Sequence, residues 1–507
     1  MRAFLDEAYD RKLKVLSYIN KQRKVVSIKN ISENTKFSEK TVLQIIRQFE
    51  QEFHSSSDQF QISYVNKTIK GIITENLDVM SIAAKYLENS ILYKIIYSIF
   101  LYEKVDVKKF CELEYISPST FSRYRQRLAS ILKKFDLKLS RVNEVTGDEL
   151  KIRNFFFSFF SNASNQWVFK PEEYREIENS ICKKVKYWSS LNDVKKSRIC
   201  LLIYISNRRS PINNCDNGIL VELSKKSEFS YKEALADYFR SKKNRSQEQI
   251  WQEVSYIQLF MYKEELLTEK IQYDQYEAFF NKENFSFTES SNLLTEKIIN
   301  IFFSGNNIKE NSKLYFRIRQ EIDKLHLILS TCYIDTNVFR YIYEPNISYY
   351  FDKAEKEVIE QIKQIVTELE LSSIYWEWWK KLDLDKSVLV EHIYLAIYML
   401  LNEIHQYTFP RVKVMIQTSK AFAETIMTNK VELVFTNRVQ VVQNLADNPD
   451  VLITDIRLSG ASGSTKVIYT NSLFDVHDFS KVVDEIEQEI LKKYYHRTLT
   501  NSLGNGC

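Results

Sequence analysis

Apolar side chains recur at helical spacing along the segment that follows Ser117. One face of this segment carries Phe121, Tyr124, Leu128, Ile131 and Leu132. The opposite face carries Ser119, Thr120, Arg123, Gln126 and Arg127. Ser117 is a residue type that caps helices, and Pro118 suits the first helical position. The pattern therefore predicts an amphipathic helix over residues 118–134, with a long helix at 80–102 and a short helix at 105–113 before it.

A similar order of elements occurs upstream. The pattern predicts helices over residues 4–20 and 27–34, a turn at 35–37, and a third helix that Ser38 caps and that runs to about Phe53. The inward positions of the third helix are Val42, Ile45, Ile46 and Phe49. Its outward positions include Lys40, Thr41, Gln44 and Arg47, alongside Gln48.

Each group of helices is followed by runs that resemble strands. Residues 60–65 and 69–74 are joined by Asn66-Lys67 and predict a first hairpin. Residues 137–142 and 149–153 flank the turn-forming sequence Thr146-Gly147-Asp148 and predict a second hairpin. Helices followed by a hairpin are typical of a winged helix-turn-helix. Since the outward residues are types that hydrogen-bond base edges and phosphates, the pair predicts recognition of double-stranded DNA.

The remainder of the chain divides into a helical part and a short mixed part. Helical spacing continues from residue 155 to about 408, over 171–190, 196–206, 231–242, 247–268, 291–303, 312–330, 352–369 and 387–406. Expected breaks lie at 210–214, 281–290 and 305–307. After Pro410, strand-like runs at 412–416, 431–436, 451–454 and 466–469 alternate with helices at 419–429 and 476–494. That alternation predicts a small parallel α/β sheet, followed by a frayed tail at 498–507.

Composition supports a mainly helical, multidomain protein. The chain has 507 residues but only 8 glycines and 6 prolines, which favours helices with short connections. Residues 1–154 contain 27 lysines and arginines against 19 aspartates and glutamates, whereas the remaining residues contain 44 against 47. A basic N-terminal part fits a nucleic-acid partner, although a solvated surface with uneven charge would give the same count.

Cysteine and histidine positions argue against metal, cofactor and disulfide chemistry. The six cysteines are scattered without a CxxC pair, as expected for reduced thiols in a cytoplasmic protein. The longest apolar run, residues 393–401, is too short to span a bilayer, so no membrane partner is expected. His326 and His392 both lie in predicted helices, where a core histidine and a titrating or phosphorylatable imidazole are alternative interpretations.

The complete pattern resembles Mga/AtxA-type virulence regulators of Gram-positive bacteria. The resemblance rests on the order of elements, the helix that begins at Ser117, and the segment around His392, Leu389-Val-Glu-His-Ile-Tyr-Leu-Ala-Ile-Tyr-Met399. In that family the two helical domains are PTS-regulation domains (PRDs), whose histidines can be phosphorylated by the phosphotransferase system. The terminal domain of the family is similar to an enzyme IIB subunit and helps to form dimers.

The sequence departs from that family pattern in two places. Arg198 stands where the first helical domain would carry its histidine, and no histidine occurs between His54 and His326. Enzyme IIB proteins of this type carry a phosphorylated cysteine just after the first strand. Here that position reads Gln417-Thr418-Ser419. We therefore expect His392, and secondarily His326, as candidate phosphorylation sites, and a catalytically inert terminal domain.

The resulting prediction is a cytoplasmic, dimeric, DNA-binding regulator that is not an enzyme, with the activation of virulence genes as its implied role. The predicted domains are two winged helix-turn-helix units (1–76 and 77–154), two PRD-like bundles (155–285 and 286–408), an enzyme IIB-like α/β domain (409–497) and the tail. Expected partners are double-stranded DNA, a second copy bound through the C-terminal half, and a phosphotransferase-system phosphocarrier protein. The alternatives are a phosphotransferase-related enzyme subunit and a helical adaptor that binds proteins without binding DNA.

Overall fold

Helices make up most of the protein, and a small parallel sheet lies near the C-terminus. The computed structural model describes residues 1–22, 25–53, 60–65, 68–74, 78–164, 167–185, 188–209, 230–242, 245–264, 266, 285–302, 313–333, 336–339, 353–390, 392–394, 396–397, 411–418, 421–435, 438–456, 465–470 and 476–504. The chain forms two compact units. One contains Met1–Gln275 and Ser330–Pro345, and the other contains Tyr276–Leu329 and Asn346–Cys507.

The N-terminal unit begins with three helices and a hairpin. The helices are α1 (Glu7–Gln22), α2 (Ile28–Thr35) and α3 (Glu39–Glu52), and the antiparallel strands are β1 (Phe60–Val65) and β2 (Thr68–Thr74). Ser27 and Ser38 cap α2 and α3, because each hydroxyl accepts a backbone N–H three residues later. This order confirms the prediction. The first helix starts later than expected, since Arg2–Phe4 forms a separate 3₁₀ turn.

The same order recurs in the next part of the unit. The elements are α4 (Val79–Glu88), α5 (Ile91–Tyr102), α6 (Val107–Leu113), α7 (Pro118–Lys133), β3 (Lys138–Leu139) and β4 (Val145–Thr146). We refer to α1–α3 as the first helical triplet and to α5–α7 as the second. The pattern predicted α6 and α7 within two residues at each end.

The single helix predicted over residues 80–102 is wrong, because the chain breaks at Asn89-Ser90 into α4 and α5. Asp6 contacts this break through tertiary hydrogen bonds. The Ser90 hydroxyl accepts the backbone N–H of Asp6 at 3.1 Å, and the Asp6 carboxylate accepts the N–H of Ile91 at 3.3 Å. These contacts provide hydrogen-bond partners for groups at the junction of α4 and α5, and the periodicity of the local sequence does not reveal them.

The second hairpin also differs from its prediction. The chain reverses between Ser140 and Glu144, so each strand has only two residues. Residues 149–153, expected as a strand, begin helix α8 (Glu149–Ala163). Asp148 caps this helix by accepting the Lys151 N–H at 3.0 Å. Gly147, with φ of 148°, joins β4 to α8, and a Cβ there would lie 2.7 Å from the Leu137 side chain.

Four further α-helices follow in the described part of residues 1–275, namely α9 (Pro171–Ser180), α10 (Asp193–Arg208), α11 (Lys232–Ser241) and α12 (Gln247–Lys263), and the 3₁₀ helix Thr336–Phe339 also belongs to this unit. The helix expected over 171–190 is shorter, because 3₁₀ turns at Cys182–Lys184 and Trp188–Ser190 follow α9. Helix α8 packs against α10, and its phenylalanines are fully buried. The break expected at 210–214 lies outside the described residues.

The C-terminal unit begins with α13 (Thr288–Phe302), α14 (Lys313–Thr331), α15 (Lys353–Glu370) and α16 (Ser373–Lys380). The loop expected near 281–290 ends earlier, since Thr288 already begins α13. Helix α16 was not predicted. Its cap is Ser372, whose hydroxyl accepts the Tyr375 N–H at 3.4 Å. Residues 386–390 are also helical. The break that was expected at 305–307 lies outside the described residues.

The small sheet confirms the expected parallel α/β arrangement. Its strands are β5 (Val412–Gln417), β6 (Val439–Val442), β7 (Val451–Thr454) and β8 (Lys466–Tyr469), in the order β6-β5-β7-β8. All neighbouring pairs are parallel. Helices α17 (Ala421–Phe435) and α18 (Val476–Gly504) share one hydrophobic cluster with the sheet.

Two predictions for this region are wrong. The strand expected at 431–436 is the end of α17, and the actual strand is β6. Val431 and Phe435 continue the four-residue spacing of Ala423 and Met427, which places all four on the buried side of the helix. The tail expected to be frayed from Thr498 is helical as far as Gly504.

Candidate nucleic-acid interface

Helix α7 presents a narrow polar stripe to solvent. Phe121, Leu128, Ile131 and Leu132 are buried as expected, and Tyr124 is half-buried. The exposed residues recur at intervals of three and four, namely Ser119, Ser122, Arg123, Gln126 and Ser130. This spacing places them along one face of the helix. Hydroxyl, guanidinium and amide groups of this kind hydrogen-bond both phosphates and base edges.

The beginning of α7 is held by hydroxyl groups. Ser117 Oγ accepts the Thr120 N–H at 3.1 Å and lies 2.8 Å from Ser119 Oγ and 2.9 Å from Thr120 Oγ1. Ser119 and Thr120, both candidate DNA-binding residues, therefore belong to the capping network. Helix N-termini favour anions because their first backbone N–H groups lack intrahelical partners.

One flank of α7 is anchored to the start of the chain. Arg127 Nη2 donates to the carbonyl oxygens of Ala3 at 2.7 Å and Leu5 at 2.9 Å. Burial, together with a hydrogen bond to Asp6, raises the pKa of the neighbouring Tyr124 to about 12. The guanidinium of Arg127 thus serves an internal contact, even though the sequence pattern placed it on the outward face.

The other flank of α7 is anchored to the second hairpin. Arg125 Nε donates to Asn143 Oδ1 at 2.7 Å, and its Nη2 donates to the Ser140 carbonyl at 2.8 Å. Asn143 is buried and donates in turn to the Val105 carbonyl at 3.3 Å. Sequence reasoning missed Arg125, because nothing local distinguishes it from the neighbouring Arg123 and Arg127. The two anchors fix the direction in which the polar stripe points.

The first helical triplet carries a similar stripe on α3. Lys40, Gln44 and Arg47 are exposed, while Val42, Ile45, Ile46 and Phe49 are buried as predicted. Thr41 is half-buried, and its hydroxyl lies 2.8 Å from Ser38 Oγ. Both Lys12 of α1 and Tyr86 of α4 donate to the Glu52 carboxylate at the end of α3. Burial and the Glu52 carboxylate raise the pKa of Tyr86 well above its ordinary value.

The two candidate phosphorylation sites have different surroundings. His326 is fully buried, with Nδ1 2.8 Å from Ser291 Oγ and Nε2 3.0 Å from the Tyr375 hydroxyl. Burial, with a smaller contribution from Arg319, lowers the pKa of His326 to about 3. His392 is half-buried, and its Nδ1 lies 2.7 Å from the Val388 carbonyl. Its neighbour Glu391 lies outside the described residues.

Two further positions were expected, from the sequence resemblance, to replace phosphorylated groups. Arg198 Nη1 lies 3.6 Å from the Glu264 carboxylate. Strand β5 ends at Gln417, the first residue of the segment Gln417-Thr418-Ser419, where the sequence resemblance would place the cysteine of enzyme IIB. In the described part of the chain, no three His, Cys, Asp or Glu side chains are placed to hold a metal ion. None of its helices combines the length and apolarity needed to cross a bilayer.

Comparison with known proteins gives one family. Residues 75–160 match the model of the Mga helix-turn-helix domain, and no curated protein matches the chain. The matched residues contain α4 to α7, the second hairpin and most of α8, so they include the polar stripe and the Arg125 anchor, whereas the acceptors of Arg127 lie before them. A domain of this type indicates a DNA-binding regulator of transcription. The chain therefore carries an Mga helix-turn-helix domain at residues 75–160, which supports its assignment as an Mga-type regulator.

Proposed function

We propose that the chain regulates transcription by binding double-stranded DNA through two winged helix-turn-helix units, residues 1–76 and 77–154. The observation that carries this proposal is the exposed polar stripe of α7, which Arg125 and Arg127 anchor on either side. A fixed helix with polar side chains at intervals of three and four fits the major groove. The matching stripe on α3 would provide the second contact.

The candidate residues of α7 and α3 would have separate roles. Arg123 would contact a guanine or a phosphate, and Gln126 would hydrogen-bond a base edge. Ser119 and Thr120 would lie near a phosphate at the positive end of the helix, and Arg127 would position the helix. On α3, Lys40 and Arg47 would contact phosphates, and Thr41 and Gln44 would face base edges.

The direct test is an electrophoretic mobility-shift assay with promoter-length duplexes at several salt concentrations. The double variant Arg123→Ala/Gln126→Ala should bind at least about tenfold more weakly, as expected from the loss of one phosphate and one base contact. Arg175→Ala is the matched control, since it removes an exposed arginine from α9, outside the matched domain. Absence of DNA binding at low salt, with protein partners recovered instead, would favour the helical adaptor.

We further propose that residues 155–285 and 286–408 are PRD-like domains that respond to a phosphotransferase-system phosphocarrier protein. His392 is the favoured acceptor because it is half-buried, whereas His326 is fully buried. The first of these domains contains no histidine, so it offers no histidine for phosphorylation. A phosphate on His392 would add negative charge to a packed helix and would alter its packing.

We also propose that the protein is a cytoplasmic homodimer that associates through its enzyme IIB-like domain, residues 409–497, and activates virulence genes. The support for association is the apolar outer surface of α17. Leu433 is 81% exposed and Val434 is 47% exposed, and Ile426 lies two turns earlier on the same helix. Exposed apolar groups at helical spacing favour contact with a second copy.

A further inference from the structure

A cavity of about 460 Å³ lies in the N-terminal unit, beside the second helical triplet. Its walls come from four stretches of the chain. They are Glu88 at the end of α4, one side of α5, Glu114 just after α6, and the segment that follows α8. The side chains that matter are Glu88, Tyr93, Lys94, Tyr97, Glu114 and Trp167. The volume is within the range of about 300–1,000 Å³ that small-molecule sites occupy.

Aromatic rings form a fixed wall of this cavity. Tyr93 stacks on Tyr97 with ring centroids 6.1 Å apart, and Tyr97 stacks on Phe169 at 5.5 Å. The Trp167 indole N–H donates to the Lys170 carbonyl at 3.0 Å, and the ring meets Phe169 edge to face. Burial raises the pKa of Tyr97, so its hydroxyl stays protonated near neutral pH. The rings are thus held in place before any ligand arrives.

The charged side chains of the cavity are two carboxylates and one amine. Lys94 donates to Glu114, and the two side chains are 33% and 22% exposed. Glu88 ends α4 and is exposed. Since the Lys94–Glu114 ion pair is neutral, Glu88 leaves the site with a net charge of about −1.

We propose that this cavity binds a small organic cation whose ammonium or guanidinium group lies against the aromatic rings and the carboxylates of Glu88 and Glu114. Aromatic faces attract cations through their quadrupoles, and adjacent carboxylates add direct attraction. A carboxylate ligand would have to displace Glu114 from Lys94 and would then lie near two like charges. The charge of the site therefore selects cations.

The site is also connected to the polar stripe of α7. Glu114 directly follows α6, and only Tyr115 and Ile116 separate it from Ser117, the cap of α7. Tyr115 has a φ of 53°, which marks a tight turn. A cation that draws Glu114 away from Lys94 would act on this turn and so on the recognition helix. This regulatory link rests on the proposed function, whereas the binding site does not.

Binding can be tested without DNA by isothermal titration calorimetry on the full chain. The probe is benzyltrimethylammonium, and benzoate is the anionic comparison. We expect saturable binding of the cation, weakened about tenfold by Glu88→Gln or Trp167→Leu and unchanged by Glu172→Gln, an exposed carboxylate on α9. Because Glu88 is exposed, Glu88→Gln should fold normally, and it therefore still tests the site if Trp167→Leu does not fold. No saturable binding, equal binding of benzoate, or full binding by Glu88→Gln would overturn the site.

The regulatory link needs a second measurement, which is DNA affinity at constant ionic strength with and without the probe. We expect the probe to change the apparent Kd for DNA at least about threefold in the wild type and not in Glu88→Gln. If the Kd for DNA is unchanged when the probe saturates the cavity, the proposed regulatory link is wrong. If the chain bound no DNA at all, the proposed function would fail, and the calorimetric result would stand independently.

Discussion

Arg153 and Glu253 form a fully buried ion pair with two hydrogen bonds, of 2.5 Å and 3.0 Å. Arg153 lies on α8, within the Mga helix-turn-helix domain, and Glu253 lies on α12, well beyond it. The paired carboxylates raise the pKa of Arg153 above its ordinary value despite the opposing effect of burial, so the guanidinium stays charged. The DNA-binding part and the following helices are therefore joined by a charge contact that has no access to water.

Removal of one partner from this pair should be costly. Glu253→Ala should lower the free energy of unfolding by about 3–5 kcal/mol, because it leaves a guanidinium buried without its main partner. The exposed pair Arg240–Asp237 provides the comparison, and Asp237→Ala should cost less than about 1 kcal/mol. Urea denaturation followed by circular dichroism measures both. Equal costs would show that the buried pair contributes no more than a surface pair.

Replacement of Arg123 should affect DNA binding, whereas replacement of Arg127 should affect stability. Arg123→Ala should reduce the salt slope of DNA binding by about 1, since it removes one phosphate contact. Arg127→Ala should leave the slope nearly unchanged but lower the melting temperature, because its guanidinium donates to the Ala3 and Leu5 carbonyls. Mobility shifts over a salt series and thermal denaturation separate these effects. The reverse assignment would mean that Arg127 leaves its anchor to contact DNA.

His326 should make stability depend on pH. Burial lowers the pKa of His326 to about 3, whereas an unfolded histidine titrates near pH 6.5. The unfolded chain therefore binds more protons between these values, and its protonation favours unfolding. Stability from this residue is complete above about pH 6.5 and falls by up to about 1.4 kcal/mol per pH unit as the pH decreases toward 3.

The measurement is the free energy of unfolding at pH 7 and pH 5. His326→Gln should show a smaller loss of stability between the two pH values than either the wild type or His392→Gln. His392→Gln is a suitable control because it also replaces one imidazole on a helix. An unchanged pH dependence in His326→Gln would show that another group controls it.

Phosphorylation should map to His392. Incubation of the full chain with phosphotransferase-system components, followed by mass spectrometry under conditions that preserve phosphohistidine, should detect a label on the peptide that contains His392. His392→Ala should abolish this label, whereas His326→Gln should retain it, since His326 is fully buried. A label that persists in His392→Ala would eliminate this residue as the acceptor.

Association should depend on the exposed surface of α17. Leu433→Glu should shift sedimentation from dimer to monomer, because it places a charge within the apolar contact. Leu371→Glu is a matched control, since Leu371 is 86% exposed and lies outside the α/β domain. If Leu433→Glu remains dimeric while keeping its fold, another surface holds the copies together.

Much of the local structure was predictable from sequence because periodicity and capping act over short distances. The buried positions of α3 and α7, the Ser38 and Ser117 caps and the parallel sheet all followed from spacing and residue type. The wrong predictions occurred where residues distant in sequence determine the secondary structure. Asp6 helps to end α4, and the sheet buries Val431 and Phe435 on α17 despite their strand-like composition.

The candidate site was predictable only in outline. The sequence showed the polar face of α7, but it did not show which of its arginines are exposed and which form internal contacts. Arg123, Arg125 and Arg127 alternate along five residues, and which of them is available depends on partners located up to 124 positions away. The cavity beside α5 was not anticipated either, because its walls come from four separated stretches of chain.

The contacts of residues 3–6 have a consequence for work on fragments. Ala3 and Leu5 provide acceptors for Arg127, and Asp6 binds the junction between α4 and α5. A fragment cut at residue 75 would retain the entire family match yet lack every one of these partners. The boundary drawn by homology is therefore not a boundary of folding, and the opening residues of the chain act as part of a domain that begins some seventy positions later.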